Sequence, residues 1–371
     1  MLSRTADSLF WMARYLERAE NMARLIGMGR RMTAIPSAVA SPRNEWFSIL
    51  LASGAAQGFV AKHPIAEAWC VIPYMILDRD NPSSLISCFE RARANARSAR
   101  GALTVEMWEA INDSWIEMRG ISAERLENGA LSPLLDWVKS RAALFRGATE
   151  STALRNDGFE FAHLGFFAER LDSTARMLDV KYFAAERGYC GDAADHYVWA
   201  SILQAAGLER AYLAATHADY DPRRIAEFLI FDRGCPRSIA HCAESLSLHL
   251  ERLGRLYGER RSCHEVAAGL VALVDEGGVD TVFDRLGLHA FLSDAIARNT
   301  ALTAAIAADY HFDLTAEPAE PEEARAAAEA RAAEAREQSQ AQAQAMWRAR
   351  RALAVQTMES ALVAPPASAA G

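Results

Sequence analysis

The segments Phe10-Trp11-Met12-Ala13-Arg14-Tyr15-Leu16-Glu17-Arg18-Ala19-Glu20-Asn21-Met22-Ala23-Arg24-Leu25 and Ala162-His163-Leu164-Gly165-Phe166-Phe167-Ala168-Glu169-Arg170-Leu171-Asp172-Ser173-Thr174-Ala175-Arg176-Met177 carry one pattern twice. A shift of 152 residues takes Glu17 to Glu169, Arg18 to Arg170, Ala23 to Ala175 and Arg24 to Arg176, with Asp172 in the place of Glu20. A second block repeats at nearly the same distance. Asp78-Arg79, Pro82, Ser84 and Cys88 fall on Asp232-Arg233, Pro236, Ser238 and Cys242 after a shift of 154. Two blocks at almost one offset predict duplication of a whole structural unit rather than reuse of a short motif. The expected halves run over about 1–150 and 151–312.

Both copies read as helix. In the first, Leu9, Met12, Leu16, Ala19, Ala23 and Ile26 recur at alternating steps of three and four residues, the spacing of a stripe that packs against other helices. Ser3 and Thr5 suit a helix N-cap, and Asp7 suits the positive end of the helix dipole. Downstream, Asn81-Pro82, Ser132-Pro133 and Asp221-Pro222 each set a capping side chain before a proline and are read as helix starts. The apolar runs Val71–Leu77 and Phe228–Phe231 are read as buried helical turns. No run alternates long enough to demand a strand. The fold class is therefore all-α: a multi-helix bundle of two pseudo-symmetric halves over residues 1–315.

From Ala316 the character changes to Ala, Glu, Arg and Gln, with eight acidic and six basic residues, a net of −2 that leaves −6 of the total −8 for the body. This 316–371 segment is expected to be helical in part and then disordered, because an apolar face is nearly missing before Met346.

Composition narrows function. Hydrophobic residues make up 51% and charged residues 24% of 371, enough to build a core. A net charge of −8 gives no general attraction to a phosphate backbone, so nucleic-acid binding is not expected. No stretch approaches the roughly 20 apolar residues of a membrane span, and no signal peptide is read at the N-terminus. Six cysteines without a CxxC pair point to reduced thiols in the cytoplasm. Phosphate-binding loops, dinucleotide fingerprints, zincin and nucleophile-elbow motifs are missing. Glu160-x-x-His163 looks like half of a di-iron site, but no second such motif accompanies it. His241, Cys242, Cys263 and His264 do not have the spacing of a tetrahedral site. Neither a cofactor nor a metal is expected.

The recurring charges are the candidate site. Glu17, Glu20 and Arg24 share one helical stripe, while Arg14 and Arg18 lie on the next, beside Trp11 and Tyr15. The second copy keeps Glu169, Arg170, Asp172 and Arg176 but has Phe166 where Arg14 would stand. Helices this apolar bury such groups, and buried charge must be paired. In a structural reading, Glu17 with Arg24 and Glu169 with Arg176 fix how two like helices cross. In a functional reading, the two sets line a cleft: Arg14, Arg18, Arg24, Arg170 and Arg176 counter a carboxylate, Glu20 and Asp172 complete the site, and Glu17 and Glu169 orient the arginines or an amine of the ligand, or act as acid and base. The structural reading leads, because ion-pair networks are commoner than reactive carboxylates. The loss of symmetry at Arg14/Phe166 places any site on the first copy. The Asp-Arg…Pro-x-Ser blocks are explained by helix-start chemistry alone.

The stretch Leu2-Ser3-Arg4-Thr5-Ala6-Asp7 followed by Arg14-Tyr15-Leu16-Glu17-Arg18-Ala19-Glu20-Asn21 resembles the signature of the bacterial alpha-E family. Asn81-Pro82-Ser83-Ser84, Glu106-Met107-Trp108-Glu109-Ala110 and Asp221-Pro222-Arg223-Arg224 are similar to further blocks of it, over about residues 1–312. The resemblance implies a helical protein usually encoded beside a circularly permuted ATP-grasp protein and a transglutaminase-like protein, in a proposed system of peptide synthesis or modification. It implies an accessory that holds or presents a charged peptide-like substrate without binding nucleotide itself. An acid–base enzyme and a purely structural scaffold stay open as alternatives, as does homo-oligomerisation.

Overall fold

A computed structural model describes residues 1–33, 45–185, 192–216 and 220–312, all within the unit Met1–Leu314. The expectations for residues 316–371, and for Cys190, lie outside the described residues. Among those described there are helices and turns and no strand, so the all-α reading holds. The first eight helices are α1 (Ser3–Thr33), α2 (Glu45–Ala52), α3 (Ala56–Val60), α4 (Ala68–Leu77), α5 (Leu85–Ser98), α6 (Val105–Met118), α7 (Ala123–Arg125) and α8 (Leu131–Thr152). Seven more follow: α9 (Asp157–Ala185), α10 (Asp192–Ala206), α11 (Glu209–Thr216), α12 (Pro222–Ile230), α13 (Ile239–Tyr257), α14 (Ser262–Asp275) and α15 (Leu288–Asp309).

The stripe read in α1 is its buried face: Leu9, Met12, Leu16, Ala19, Ala23 and Ile26 are all in the core. The runs at 71–77 and 228–231 belong to α4 and to α12 with its C-cap Phe231, and carry buried Val71, Tyr74, Met75, Phe228, Leu229 and Ile230. Cys88 and Cys242 are buried free thiols.

The long helices pack in two sets. α1 packs on α5 and α8, α5 on α6, and α6 on α8; likewise α9 packs on α13 and α15, α13 on α14, and α14 on α15. The short helices cross over, with α10 lying on α1 and α2 on α9. The largest contact of all joins α1 to α9. Ala13 touches Gly165 and Asn21 touches Ser173, two pairs of repeat-equivalent positions, so the two long helices run parallel and in register. Gly165 sets the spacing: a Cβ there would stand 2.2 Å from the Phe10 carbonyl oxygen. Without that glycine the backbones could not approach so closely.

Two helix starts differ from the sequence reading. α5 begins at Leu85 rather than at Pro82, because Ser84 caps it by accepting the Ser87 N–H at 3.3 Å. Asn81 instead closes the preceding turn, donating to the Tyr74 carbonyl and accepting the Ser83 N–H. α8 begins at Leu131, two residues ahead of Pro133. Asp221-Pro222 starts α12 as expected, with the Asp221 carboxylate accepting the Arg224 N–H at 2.9 Å. In the repeated block, Ser238 caps α13 as Ser84 caps α5, and Asp78 and Asp232 accept the N–H groups of Asp80 and Gly234 in matching turns.

Candidate functional site

The α1/α9 interface gathers every charged residue of the repeated motif. Each copy's glutamate pairs with the other copy's arginine. Glu17 accepts from Arg170 Nε at 2.9 Å and Nη2 at 3.1 Å. Reciprocally, Glu169 accepts from Arg18 Nε at 2.6 Å and Nη2 at 3.0 Å. The planar fork of guanidinium fits both carboxylate oxygens, which makes these the strong, directional kind of charged hydrogen bond. Arg14 adds a third contact, Nε to Glu169 Oε2 at 2.9 Å, while its guanidinium stacks over Trp11.

The pairing expected of Glu17 with Arg24 and Glu169 with Arg176 is not what forms. Arg24 bonds Glu20 at 2.6 Å and Arg176 bonds Asp172 at 2.7 Å, each one helical turn back. The i,i+4 geometry brings these partners together, and it leaves Glu17 and Glu169 facing across the interface.

Two further arginines were not anticipated. Arg146 of α8 bonds Glu17 Oε2 at 2.9 Å through Nη1, and the same nitrogen bonds Glu20. Arg237, in the turn before α13, bonds Glu20 at 2.6 Å, Glu17 at 3.3 Å and the Asn21 amide oxygen at 3.2 Å. Arg237 had a visible signal, since it replaces Ser83 of the first copy inside an otherwise repeated Pro-x-Ser block. Arg146 had none: it is one arginine on an amphipathic helix, 129 residues from Glu17.

Electrostatics follow from the packing. Glu17 is fully buried, and burial opposes its charge; Arg170, Arg237 and Arg146 outweigh that and hold its carboxyl far below the ordinary range. Burial likewise opposes Glu169, yet Arg18 and Arg14 bring it down to about 2. Glu20 is also lowered, against burial and the repulsion of Glu17. Burial, followed by attraction to Glu17 and Glu20 and repulsion by Arg24 and Arg170, leaves Arg237 lowered to about 10.

Positive charge is in excess. Around Glu17 and Glu20 stand Arg24, Arg146, Arg170 and Arg237, four against two for a net of +2. Around Glu169 and Asp172 stand Arg14, Arg18 and Arg176, three against two for a net of +1. The clusters together carry +3 in a chain of net −8. Glu17, Glu20 and Glu169 are sealed, while Arg146 and Arg176 reach outward to 26% and 30% side-chain exposure. Among the described residues, Arg14, Arg146 and Arg176 keep terminal N–H groups without a protein acceptor, and none of these nitrogens is a buried orphan.

The remaining motifs resolve separately. His163 bonds Glu150, and Glu160 bonds His249. No group of three or more His, Cys, Asp or Glu that could hold a metal occurs among the described residues. Cys242 is pushed up to about 12 by burial, which removes it as a nucleophile.

Fold and site together define an all-helical protein built on two parallel helices cross-linked by reciprocal glutamate–arginine pairs. The chain belongs to the Alpha-E family, described as a predicted alpha-helical domain with a conserved ER motif, whose model matches residues 1–311. Similar chains include uncharacterized proteins of Mycobacterium bovis and of two strains of Mycobacterium tuberculosis, each 24% identical over 283 residues. The match covers 70% of this chain and 30% of each relative, so this chain spans under a third of their length. No solved structure matches. No described helix is long and apolar enough to cross a membrane.

Proposed function

We propose that this protein is a helical accessory that holds a carboxylate-bearing, peptide-like substrate for an ATP-grasp ligase. The observation that carries the reading is the excess of guanidinium over carboxylate. A purely structural network would balance its charges, since each uncompensated ion taken out of water is penalised by several kcal/mol. Here three positive charges are left over, and arginine N–H groups still face solvent. Planar guanidinium forks suit a carboxylate. The sealed glutamates then act as a frame that orients the arginines.

The acid–base alternative for Glu17 and Glu169 finds less support. Carboxyls held ionised far below neutrality and closed from solvent neither donate a proton nor meet a substrate. The scaffold alternative draws on the sealing of the carboxylates but leaves the charge excess without a purpose. The sequence offers no nucleotide loop, which suits a partner that supplies ATP chemistry. The much greater length of the relatives suits a domain that works joined to, or beside, other domains. On this reading the partners are the circularly permuted ATP-grasp protein and the transglutaminase-like protein, and the compartment is the cytoplasm. The substrate seat lies in residues 1–315.

Calorimetric titration with glutamate-containing dipeptides and their amidated counterparts tests the proposal. Binding is expected to need a free carboxylate, to weaken as salt is raised, and to fall at least ~10-fold in Arg146→Gln, the loss of one charged hydrogen bond. Equal binding of amidated and free peptides, or full affinity in the folded variant, would sink it.

A further inference from the structure

His163 sits where α8, α9 and α13 meet, and its hydrogen bonds contain a conflict. Its Nδ1 lies 2.9 Å from the Phe159 carbonyl oxygen, which can only accept, so this contact needs a proton on Nδ1. Its Nε2 lies 2.6 Å from Glu150 Oε1. Glu150 is ionised at neutral pH: burial, the largest single influence, raises its carboxyl, but His163 and Arg155 together lower it on balance. An ionised carboxylate also only accepts. Neutral His163 has one N–H for these two acceptors, so it can donate to the carbonyl or to the carboxylate but not to both. Both contacts are attractive together only when each ring nitrogen carries a proton.

That second proton is not held firmly. Burial first, and the His249 imidazole with its ring centre 4.9 Å away second, push His163 below the ordinary histidine range. The charged and titratable groups around it are Glu150 and Arg155 from the end of α8 and the turn after it, Glu160 from α9, and His249, Arg252 and His241 from α13. Glu160 is spoken for by His249, so it cannot serve as the second carboxylate for His163. Glu150 is 54% exposed and can swing into water once the proton leaves. Its Arg155 partner, in the turn after α8, is 52% exposed, bonds the Glu150 backbone carbonyl and stacks over Phe159.

We propose that Glu150 and His163 form a proton-gated tie between α8 and α9, closed in acid and open at neutral pH, that regulates the arginine cluster through Arg146. The link is geometric. Arg146 and Glu150 are four residues apart, on one face of α8, so the tie that seats Glu150 on α9 also sets how α8 offers Arg146 to Glu17 and Glu20. The proposal rests on the reading of that cluster as a substrate seat only for its regulatory meaning; the tie itself needs no ligand.

The test uses the full chain without any peptide, so its outcome is independent of whether the cluster binds carboxylates. His163 is titrated by NMR of the imidazole, while amide exchange in the last turn of α8 is measured across pH 4–8 and referred to intrinsic rates. In the wild type, protection of that turn is expected to drop about tenfold or more as His163 loses its proton, the loss of one charged hydrogen bond. The Arg146 Nε–H resonance should move through the same midpoint. Glu150→Gln is the decisive variant, because its amide N–H can donate to neutral Nε2. It should keep the turn protected at every pH, hold the Arg146 signal still, and lower the His163 titration further. A pH step that survives unchanged in Glu150→Gln overturns the tie. So does a wild-type turn whose protection ignores the His163 titration, and a motionless Arg146 signal overturns the coupling.

Discussion

Replacing Glu17 by Gln keeps the volume of the side chain and removes one charge from the middle of the network. Before the change, two carboxylates face four guanidiniums around Glu17 and Glu20, a net of +2; afterwards one faces four, a net of +3. Arg170 loses its bidentate partner, and Arg146 and Arg237 lose one contact each. Leaving buried charges without their counter-ion is destabilising by about 3–5 kcal/mol, a large share of the roughly 5–15 kcal/mol that holds a domain together. The same reasoning predicts a rescue. Arg237 is disfavoured as a cation by burial and by Arg24 and Arg170. Arg237→Met by itself should then be mild, about 1 kcal/mol. In the double variant Glu17→Gln/Arg237→Met the cluster returns to +2, and about 1–2 kcal/mol of the Glu17→Gln loss should be recovered. Urea denaturation followed by helical circular dichroism gives the four stabilities of this cycle. Simple additivity, or an Arg237→Met loss as large as that of Glu17→Gln, would show that the network is balanced rather than over-supplied with positive charge.

Other outcomes follow from the same contacts. Gly165→Ala should lower stability by about 2–4 kcal/mol in thermal unfolding, because its Cβ would meet backbone of α1 rather than a movable side chain. Ser238→Ala removes the cap of α13 and should lower stability by about 1 kcal/mol, with Ser84→Ala behaving alike at α5. Glu169 is held at about 2 against an unfolded value of 4.5, so its pairing contributes full stability above pH 4.5 and loses it as pH falls toward 2. Acid unfolding of Glu169→Gln should accordingly be shallower through that window, and an unchanged slope would refute the assignment.

Much of this architecture was legible in the chain because its determinants are local. A three-and-four stripe specifies a helix whatever lies elsewhere, and the buried face of α1 matches its stripe residue for residue, while in the run 228–231 the first three residues are buried and Phe231 only partly so. The reading at Asn81-Pro82 failed for an equally local reason: two capping side chains, Asn81 and Ser84, compete within four residues, and Ser84 is the one placed to meet the Ser87 N–H. The motif charges were found because they recur; their partners were assigned wrongly for Arg24 and Arg176, where two acids lie within reach on the same helix face.

By itself, then, the sequence determined an all-helical body, the buried stripe of α1, the repeated caps, and the set of glutamates and arginines that had to find partners. Only the tertiary structure decided which ions meet. Glu17 takes its arginines from positions 129, 153 and 220 residues away, and such distances leave no trace in periodicity or spacing. The parallel seating of α1 on α9, made possible at Gly165, turns two like helices into reciprocal partners. Arg146 and Arg237 then arrive from α8 and from the turn before α13, and the cluster becomes net positive. Helix formation is a property of a few neighbouring residues, whereas charge balance in a buried site is a property of everything the fold brings there.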